Sequence, residues 1–198
     1  MSKIISQAKA GQGRLFVQFG GQGAPWYKEL AKYYKEPSMK KFFDVVLHRA
    51  IEEERPHVDG TVGLPHGLDA RAWLEDESKI PSEDYLACAA VSIPMIQVTQ
   101  LAHFENAVSR GIPRKDLVAA TEATSGHSQG LIPASLVALD LDGDAYYAAA
   151  AKYVKYLLYL GVRAQEVYPF FAPTADEIAR SEKAGNKAPA PMMAVVGD

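Results

Sequence analysis

The pentapeptide 126–130, Gly-His-Ser-Gln-Gly, has the residue types and spacing of a serine nucleophile held in a sharp turn. In the Gly-x-Ser-x-Gly elbow, a serine lies between a strand and a helix with its hydroxyl exposed, and the flanking glycines leave room for the turn and for an incoming acyl group. The apolar run 117–120 leads towards Ser125 as a plausible buried strand, and residues 131–139 suit a helix. The pattern therefore predicts nucleophilic chemistry at Ser128. The alternative is a glycine-bordered strand–helix turn with an idle serine.

The histidines bear on this chemistry, because a serine needs an adjacent base, usually a histidine, to become an effective nucleophile. They are His48, His57, His66, His103 and His127. None follows Ser128, as the serine–acid–histidine order of α/β-hydrolases would require. His127 is a poor base for Ser128, since neighbouring side chains at a strand end point to opposite sides. The base therefore lies on another segment or polypeptide, or the serine does no chemistry.

Composition describes a globular protein with few special features. With 198 residues, of which 48% are hydrophobic and 23% charged, the chain is long enough for one domain with a substantial core. A net charge of −3 and a pI near 6.0 give no basic surface for nucleic acid. The single cysteine, Cys88, and the lack of a signal peptide or membrane-length apolar run predict a cytoplasmic protein with no membrane partner. No metal site is predicted, because His57 and His66 lack further metal-ligating company.

Short strands that alternate with helices predict an α/β fold with a mainly parallel sheet. Ligands gather at the carboxyl ends of such strands, where both the pentapeptide 126–130 and the loop 20–23 are expected. The predicted elements are strands at 15–19, 117–125 and 192–196, helices at 27–34, 38–55, 69–77, 92–110, 131–139 and 143–167, a loosely ordered segment at 1–13, and loops at 56–67 and 169–191.

The loop 19–23, Phe-Gly-Gly-Gln-Gly, could complete an oxyanion hole with the pentapeptide. In elbow enzymes the backbone N–H of the residue after the nucleophile, here Gln129, donates to the tetrahedral intermediate, and a neighbouring loop supplies a second donor. Gln22 is the candidate for that second donor. The alternative is a phosphate cradle or a plain tight turn. Nucleotide binding is disfavoured, because neither Gly-Gln-Gly triplet completes Gly-x-Gly-x-x-Gly and no lysine forms a P-loop pattern.

The pairing of these two loops resembles the malonyl/acetyl acyltransferase family. More narrowly, it is similar to the acetyltransferase domain of the β-subunit in fungal-type type I fatty acid synthases and to the related starter-unit transacylases. The stretches 96–103 and 161–169 and the closing Ala190–Met193 resemble that subgroup as well. The resemblance runs from about Leu15 to the end and covers the first part of such a domain.

The resemblance implies a domain organisation. An N-terminal segment, 1–14, would precede an incomplete α/β acyltransferase core, 15–191, which is hydrolase-like with a nucleophile elbow. Residues 192–198 would form the first strand of a small ferredoxin-like subdomain that is truncated at the C-terminus.

A ping-pong acyl transfer is the reaction that the resemblance implies. Ser128 would take an acyl group from acetyl-CoA, or from another short neutral acyl-CoA, and pass it to the phosphopantetheine thiol of an acyl carrier protein. Gln22 and Gln129 would donate backbone N–H groups to the oxyanion. The transfer would serve fatty acid or polyketide synthesis and needs no bound cofactor.

The implied substrate-binding residues are Gly21, Gly23, His127 and Leu160. Leu160 stands where malonyl-selective members carry an arginine that pairs with the malonyl carboxylate. A leucine would leave that carboxylate desolvated and unpaired, so a neutral acyl group is favoured. Arg163 lies three residues further on, which leaves malonyl transfer open.

The catalytic histidine of the family lies in the part of the domain that follows. The remainder of a multidomain synthase, or a partner chain, is therefore expected to supply it. Two alternatives remain: an inactive scaffold or docking piece of a larger synthase, and a serine esterase of α/β-hydrolase type. The missing downstream histidine and the Gly-Gly-Gln-Gly loop disfavour the esterase.

Overall fold

Helices dominate the computed structural model, which describes residues 3–23 and 25–186. Short 3-10 turns lie at Glu77–Lys79 and Ser128–Gly130. The helices are, in chain order, α1 (Lys3–Lys9), α2 (Tyr27–Tyr34), α3 (37–52), α4 (Arg55–Val58), α5 (Ala70–Glu75), α6 (Glu83–Ala87), α7 (Ala89–Ser109), α8 (Arg114–Ala119), α9 (Leu131–Ala138), α10 (Gly143–Val167) and α11 (Ala175–Lys183). Within this part of the chain, no helix combines the length and apolar character that crossing a membrane requires.

The sheet of the described residues consists of two parallel strands, β1 (Leu15–Phe19) and β2 (Thr121–Gly126). Phe19 pairs with Gly126, so both strands end at the same edge. A parallel pair needs a crossover connection, which here runs through α2 to α8. The architecture is compatible with the predicted α/β class, although helices outweigh the sheet.

The core is built around α7, whose side chains are buried on nearly every face. This helix packs along α10, the longest helix described. At their crossing a Cβ on Gly161 would lie 2.5 Å from the carbonyl oxygen of Ala89, so only glycine permits this close approach. The sequence prediction for α10, 143–167, is confirmed, and the side chain of Asp142 caps it by accepting from Gly143 N at 2.8 Å.

The start of α7 differs from the sequence prediction. The helix begins at Ala89 rather than at Ser92, and Pro94 lies inside it as the sixth residue. The hydroxyl of Ser92 does not cap the helix but bonds back to the carbonyl oxygen of Cys88 at 2.8 Å. The predicted stop is confirmed, since Gly111 follows the helix with φ +90°, a conformation that favours glycine.

The predicted strand at 117–120 is wrong. These residues belong to α8 and its C-cap Ala120, and β2 begins only at Thr121. A short apolar run fits a buried strand and a buried helix equally well. Here Pro113 starts a helix, and its buried side chains, Arg114 and Leu117, recur at helical spacing.

Other elements also depart from prediction. The segment at 1–13 contains α1, with Ile5 buried, and the predicted loops at 56–67 and 169–191 contain α4 and α11. The N-terminus of α11 carries a capping box between Thr174 and Glu177, a signal that was readable in the sequence. Ser38 does not cap α3; it lies inside the 3-10 turn that opens the helix. The predicted strand at 192–196 lies outside the described residues.

The middle of α3 is π-helical over Phe43–Arg49. The sequence predicts one regular helix here, and the helical periodicity carries no signal for the wider turn. The segment buries the apolar face that was predicted, including Phe43, Val46 and Leu47.

Candidate active site

The loop after β1 and the pentapeptide after β2 meet at one edge of the sheet. The backbone N–H of His127 donates to the carbonyl oxygen of Phe19 at 3.0 Å, which continues the strand pairing into the loops. Gly130 N then donates to His127 O at 2.9 Å and closes the 3-10 turn that leads into α9. The structure therefore brings together the two segments that sequence analysis paired.

Ser128 is exposed and has φ +52°, in the left-handed region that non-glycine residues rarely adopt. Such a conformation costs on the order of 1–3 kcal/mol and persists only where surrounding structure enforces it. The hydroxyl of Ser128 makes no hydrogen bond to any other described residue. The turn thus presents an unengaged hydroxyl to the surface.

Two glycines make this turn sterically possible. A Cβ on Gly126 would lie 2.0 Å from the carbonyl carbon of Gly130. A Cβ on Gly130 would lie 2.4 Å from the carbonyl oxygen of Phe19. Real Cβ contacts are essentially never so short. A side chain at Gly126 would therefore disrupt the turn within the pentapeptide, and one at Gly130 would push the pentapeptide away from residues 19–20.

Gly21 brings the first loop against the serine. A Cβ on Gly21 would lie 3.2 Å from Ser128 Cβ and 3.0 Å from His127 Nδ1. Gly23, two residues on, has φ +96°, in the left-handed region that favours glycine. The loop that holds Gln22 therefore lies directly beside Ser128.

Three glutamine side chains form hydrogen bonds between these loops and α7. Two of them belong to the loops and one to the helix. The Gln22 amide donates to Ser92 Oγ, and Gln129 Nε2 donates to the carbonyl oxygen of Ile93 at 2.6 Å. From α7, Gln100 Nε2 donates to the carbonyl oxygen of Gly20 at 2.7 Å. Sequence analysis missed Ser92 and Gln100 as site residues, because isolated uncharged residues on an apolar helix form no motif.

Among the described residues, no histidine hydrogen-bonds to the Ser128 hydroxyl. The ring of His127 lies beside Gly21, next to Ser128 in the chain. His48 is buried and lies 3.0 Å from the Tyr34 hydroxyl, and burial lowers the pKa of its imidazole. His103 Nδ1 lies 2.9 Å from the Tyr33 hydroxyl. Among residues 3–23 and 25–186, no group of three or more His, Cys, Asp or Glu side chains could hold a metal.

Leu160 lies on α10 and is 42% exposed. Its neighbour Gly161 packs against Ala89 at the start of α7, one turn before Ser92 and Ile93. The N-terminal end of α7 therefore contacts both the two loops and the part of α10 that holds Leu160.

Comparison with known proteins identifies the family of this chain. A family profile described as "Starter unit:ACP transacylase in aflatoxin biosynthesis" matches residues 17–198. The chain belongs to this transacylase family. The resemblance to the acyltransferase domain of fungal-type fatty acid synthases, drawn from the two loops, is thereby confirmed.

Relatives of this transacylase domain are subunits of fungal synthases. The chain is 33% identical over 190 residues to fatty acid synthase subunit beta of Schizosaccharomyces pombe, covering 92% of the chain and 9% of that protein. It is 30% identical over 202 residues to the corresponding subunit of Saccharomyces cerevisiae, covering 98% and 10%. Fatty acid synthase beta subunit aflB of Emericella nidulans is 28% identical over 207 residues, covering 99% and 9%. The transacylase chain thus spans about a tenth of the length of these relatives.

Proposed function

We propose that this chain carries the nucleophile of an acyl-CoA:acyl carrier protein transacylase that acts in fatty acid or polyketide synthesis. The observation that carries the proposal is the close approach of Gly21 to Ser128, where an added Cβ on Gly21 would lie 3.2 Å from Ser128 Cβ. This approach sets two glycine-bordered loops beside one exposed hydroxyl. The strained φ of Ser128, between β2 and α9, supports a nucleophile elbow. Membership of the transacylase family supports the same reaction.

The proposed first half-reaction acylates Ser128. Its Oγ attacks the thioester carbonyl carbon of acyl-CoA, and its proton passes to a base. The backbone N–H groups of Gln22 and Gln129 stabilise the tetrahedral oxyanion. Gln129 suits this role because it lies at the start of a helical turn, where backbone N–H groups have no intrahelical acceptor. The intermediate collapses, the C–S bond breaks, and coenzyme A leaves with a proton.

The second half-reaction reverses these roles. The phosphopantetheine thiol of an acyl carrier protein loses its proton to the base and attacks the acyl-serine carbonyl. The same two N–H groups bind the oxyanion again, and the C–O bond to Ser128 breaks as the oxygen regains a proton. No resident cofactor is needed for either step, and the carrier protein is the proposed partner.

We propose that the base is a histidine from the rest of a multidomain synthase or from a partner chain. The sheet supports this, because parallel sheets are normally covered on both faces, whereas Phe16 on β1 is 60% exposed. Leu131 and Leu139, at the two ends of α9, are also exposed. Further polypeptide that completes a hydrolase-like core would cover these side chains and could bring the base to Ser128.

Acetyl, or another short neutral acyl group, is the proposed substrate. Leu160 offers no positive charge to a malonyl carboxylate. Arg163, which kept malonyl transfer open in the sequence, places its Nη1 2.6 Å from a carboxylate oxygen of Glu166. Gly21, Gly23 and His127 are the proposed lining of the cleft. Cytoplasmic synthesis is the proposed setting, in keeping with a single cysteine that is buried in the core.

Labelling with radioactive acetyl-CoA tests the proposal. With the remaining synthase polypeptide added to supply the base, we expect stable label on the protein and on Ser125→Ala, a matched control in which an exposed serine three residues away is removed. Ser128→Ala should retain no label. Absence of label on the wild-type chain, also after addition of the remaining synthase polypeptide, would support a scaffold role instead. Label from simple esters but not from acetyl-CoA would support an esterase.

A further inference from the structure

The two loops at Ser128 are held from one side by a single helix. Loop 20–23 contacts α7 at Ser92, through the Gln22 amide, and at Gln100, which donates to Gly20. These two anchor points are eight residues apart, or about 12 Å along the helix at ~1.5 Å per residue. The pentapeptide is anchored between them, where Gln129 Nε2 reaches the carbonyl of Ile93.

Each anchor is a directed hydrogen bond rather than general packing. In Gln22, Gln100 and Gln129 the amide nitrogen is bonded, while the amide oxygen is buried without a hydrogen-bond partner among the described residues. A buried acceptor left unpaired is destabilising, and a methionine of similar length would fill the space without that penalty. The N–H donation therefore explains three amides at these positions better than space filling does.

Ser92 is itself held in position. Its hydroxyl donates to the residues just before α7, to Cys88 O at 2.8 Å or Ala87 O at 3.0 Å, and so presents a lone pair to the Gln22 amide. The side chain is almost fully buried, so water does not compete for this pairing. The orientation of loop 20–23 is thereby tied to the first turns of α7.

We infer that Ser92 and Gln100 are positioning residues for the acyl transfer. Together with the side-chain amides of Gln22 and Gln129, they hold both loops on α7 so that two backbone N–H groups point at one oxyanion. The inference rests on the proposed function, because the donors matter only if an oxyanion forms at Ser128. A shift of about 1 Å in such a constellation is enough to slow a reaction by about 100-fold.

Hydrogen exchange of the intact chain tests the anchoring without requiring activity. Ser92→Ala and Gln100→Met each remove one anchor, and Thr99→Val is the matched control. Thr99 is a buried hydroxyl on the same helix that bonds only to Met95 O, at 2.8 Å. We expect at least tenfold faster amide exchange in peptides covering 20–23 for both anchor variants, and no change in these peptides for the control. Unchanged exchange in both anchor variants would overturn the inference.

The rate of Ser128 acylation by acetyl-CoA then separates positioning from mere stability. The anchor variants should be acylated at least tenfold more slowly at saturating acetyl-CoA. Thr99→Val should react at close to the wild-type rate. Ser92→Thr, which keeps a hydroxyl, should react faster than Ser92→Ala. Equal slowing in Thr99→Val would show a general loss of stability and would contradict positioning. If the wild type is not acylated even with the remaining synthase polypeptide added, the proposed function fails, while the exchange result still decides whether these residues anchor the loops.

Discussion

At the scale of single residues, the account depends on backbone conformation as much as on side-chain chemistry. Ser128 combines an exposed hydroxyl with φ +52°, and Gly126 and Gly130 allow the close packing that enforces it. The motif predicted these three residues, together with Gln22 and Gln129. It could not predict Ser92 or Gln100, because only the folded chain shows which side of α7 faces the loops.

The strain at Ser128 gives a prediction about stability. Ser128→Gly and Ser128→Ala both remove the hydroxyl, but only glycine tolerates a positive φ without a steric cost. We expect the glycine variant to be more stable than the alanine variant by about 1 kcal/mol, as measured by urea unfolding. Equal stability of the two variants would show that the turn relaxes out of the left-handed region.

At the scale of elements, the prediction succeeded for the long helix α10 and for the short elements β1 and α2, but it failed for other short segments. The 25 residues of α10 carry an amphipathic pattern and a clear cap, and their boundaries were predicted correctly. The run 117–120 has too few residues to show a period, so a helix was taken for a strand. The helix α11 was missed although Thr174 and Glu177 formed a readable capping box.

A buried ion pair fixes α8, the helix that leads into β2. Arg114 pairs with Glu105 of α7, its guanidinium carbon lies 3.5 Å from the centre of the Tyr146 ring, and the Tyr147 hydroxyl donates to Glu105 at 2.7 Å. We expect Arg114→Met to lower the free energy of unfolding by about 3–5 kcal/mol, because it leaves a buried carboxylate unpaired.

The matched double variant Arg114→Met/Glu105→Gln removes both charges. It should recover at least half of that loss in a double-mutant cycle of urea unfolding. A double variant that is as unstable as the sum of the single variants would contradict a coupled pair.

At the scale of the whole molecule, the described residues form a helical core around α7 and a small parallel sheet. The helix α9 packs against this sheet, while Phe16 of β1 is exposed. The sequence predicted the α/β character and the meeting of the two loops. The sequence could not predict the excess of helix over strand, because local apolar patterns do not determine how many strands pair in a sheet. The chain spans about a tenth of the length of its fungal relatives.

At this scale we predict that the protein loses stability in acid because of His48. Burial, followed by the nearby positive charge of Arg71, lowers the pKa of His48, so the unfolded chain takes up a proton at a higher pH than the folded one. Above the unfolded value of about 6.5, His48 has no effect on the pH dependence; below it, stability falls as the pH drops towards the folded pKa.

His48→Gln should flatten the fall in unfolding free energy between pH 6.5 and 5, as measured by urea unfolding at several pH values. His57→Gln makes the same substitution at an exposed position and is the matched control. An unchanged slope in His48→Gln would show that other groups cause the acid sensitivity.

The central claim is that backbone N–H groups of Gln22 and Gln129 converge on the oxygen that forms at Ser128. A crystal structure of the protein with a methylphosphonate ester on Ser128 tests it most directly, since the phosphonyl oxygen occupies the place of the oxyanion. The account predicts that this oxygen lies about 2.7–3.1 Å from both backbone nitrogens. A phosphonyl oxygen that points into solvent, or that contacts neither nitrogen, would contradict it.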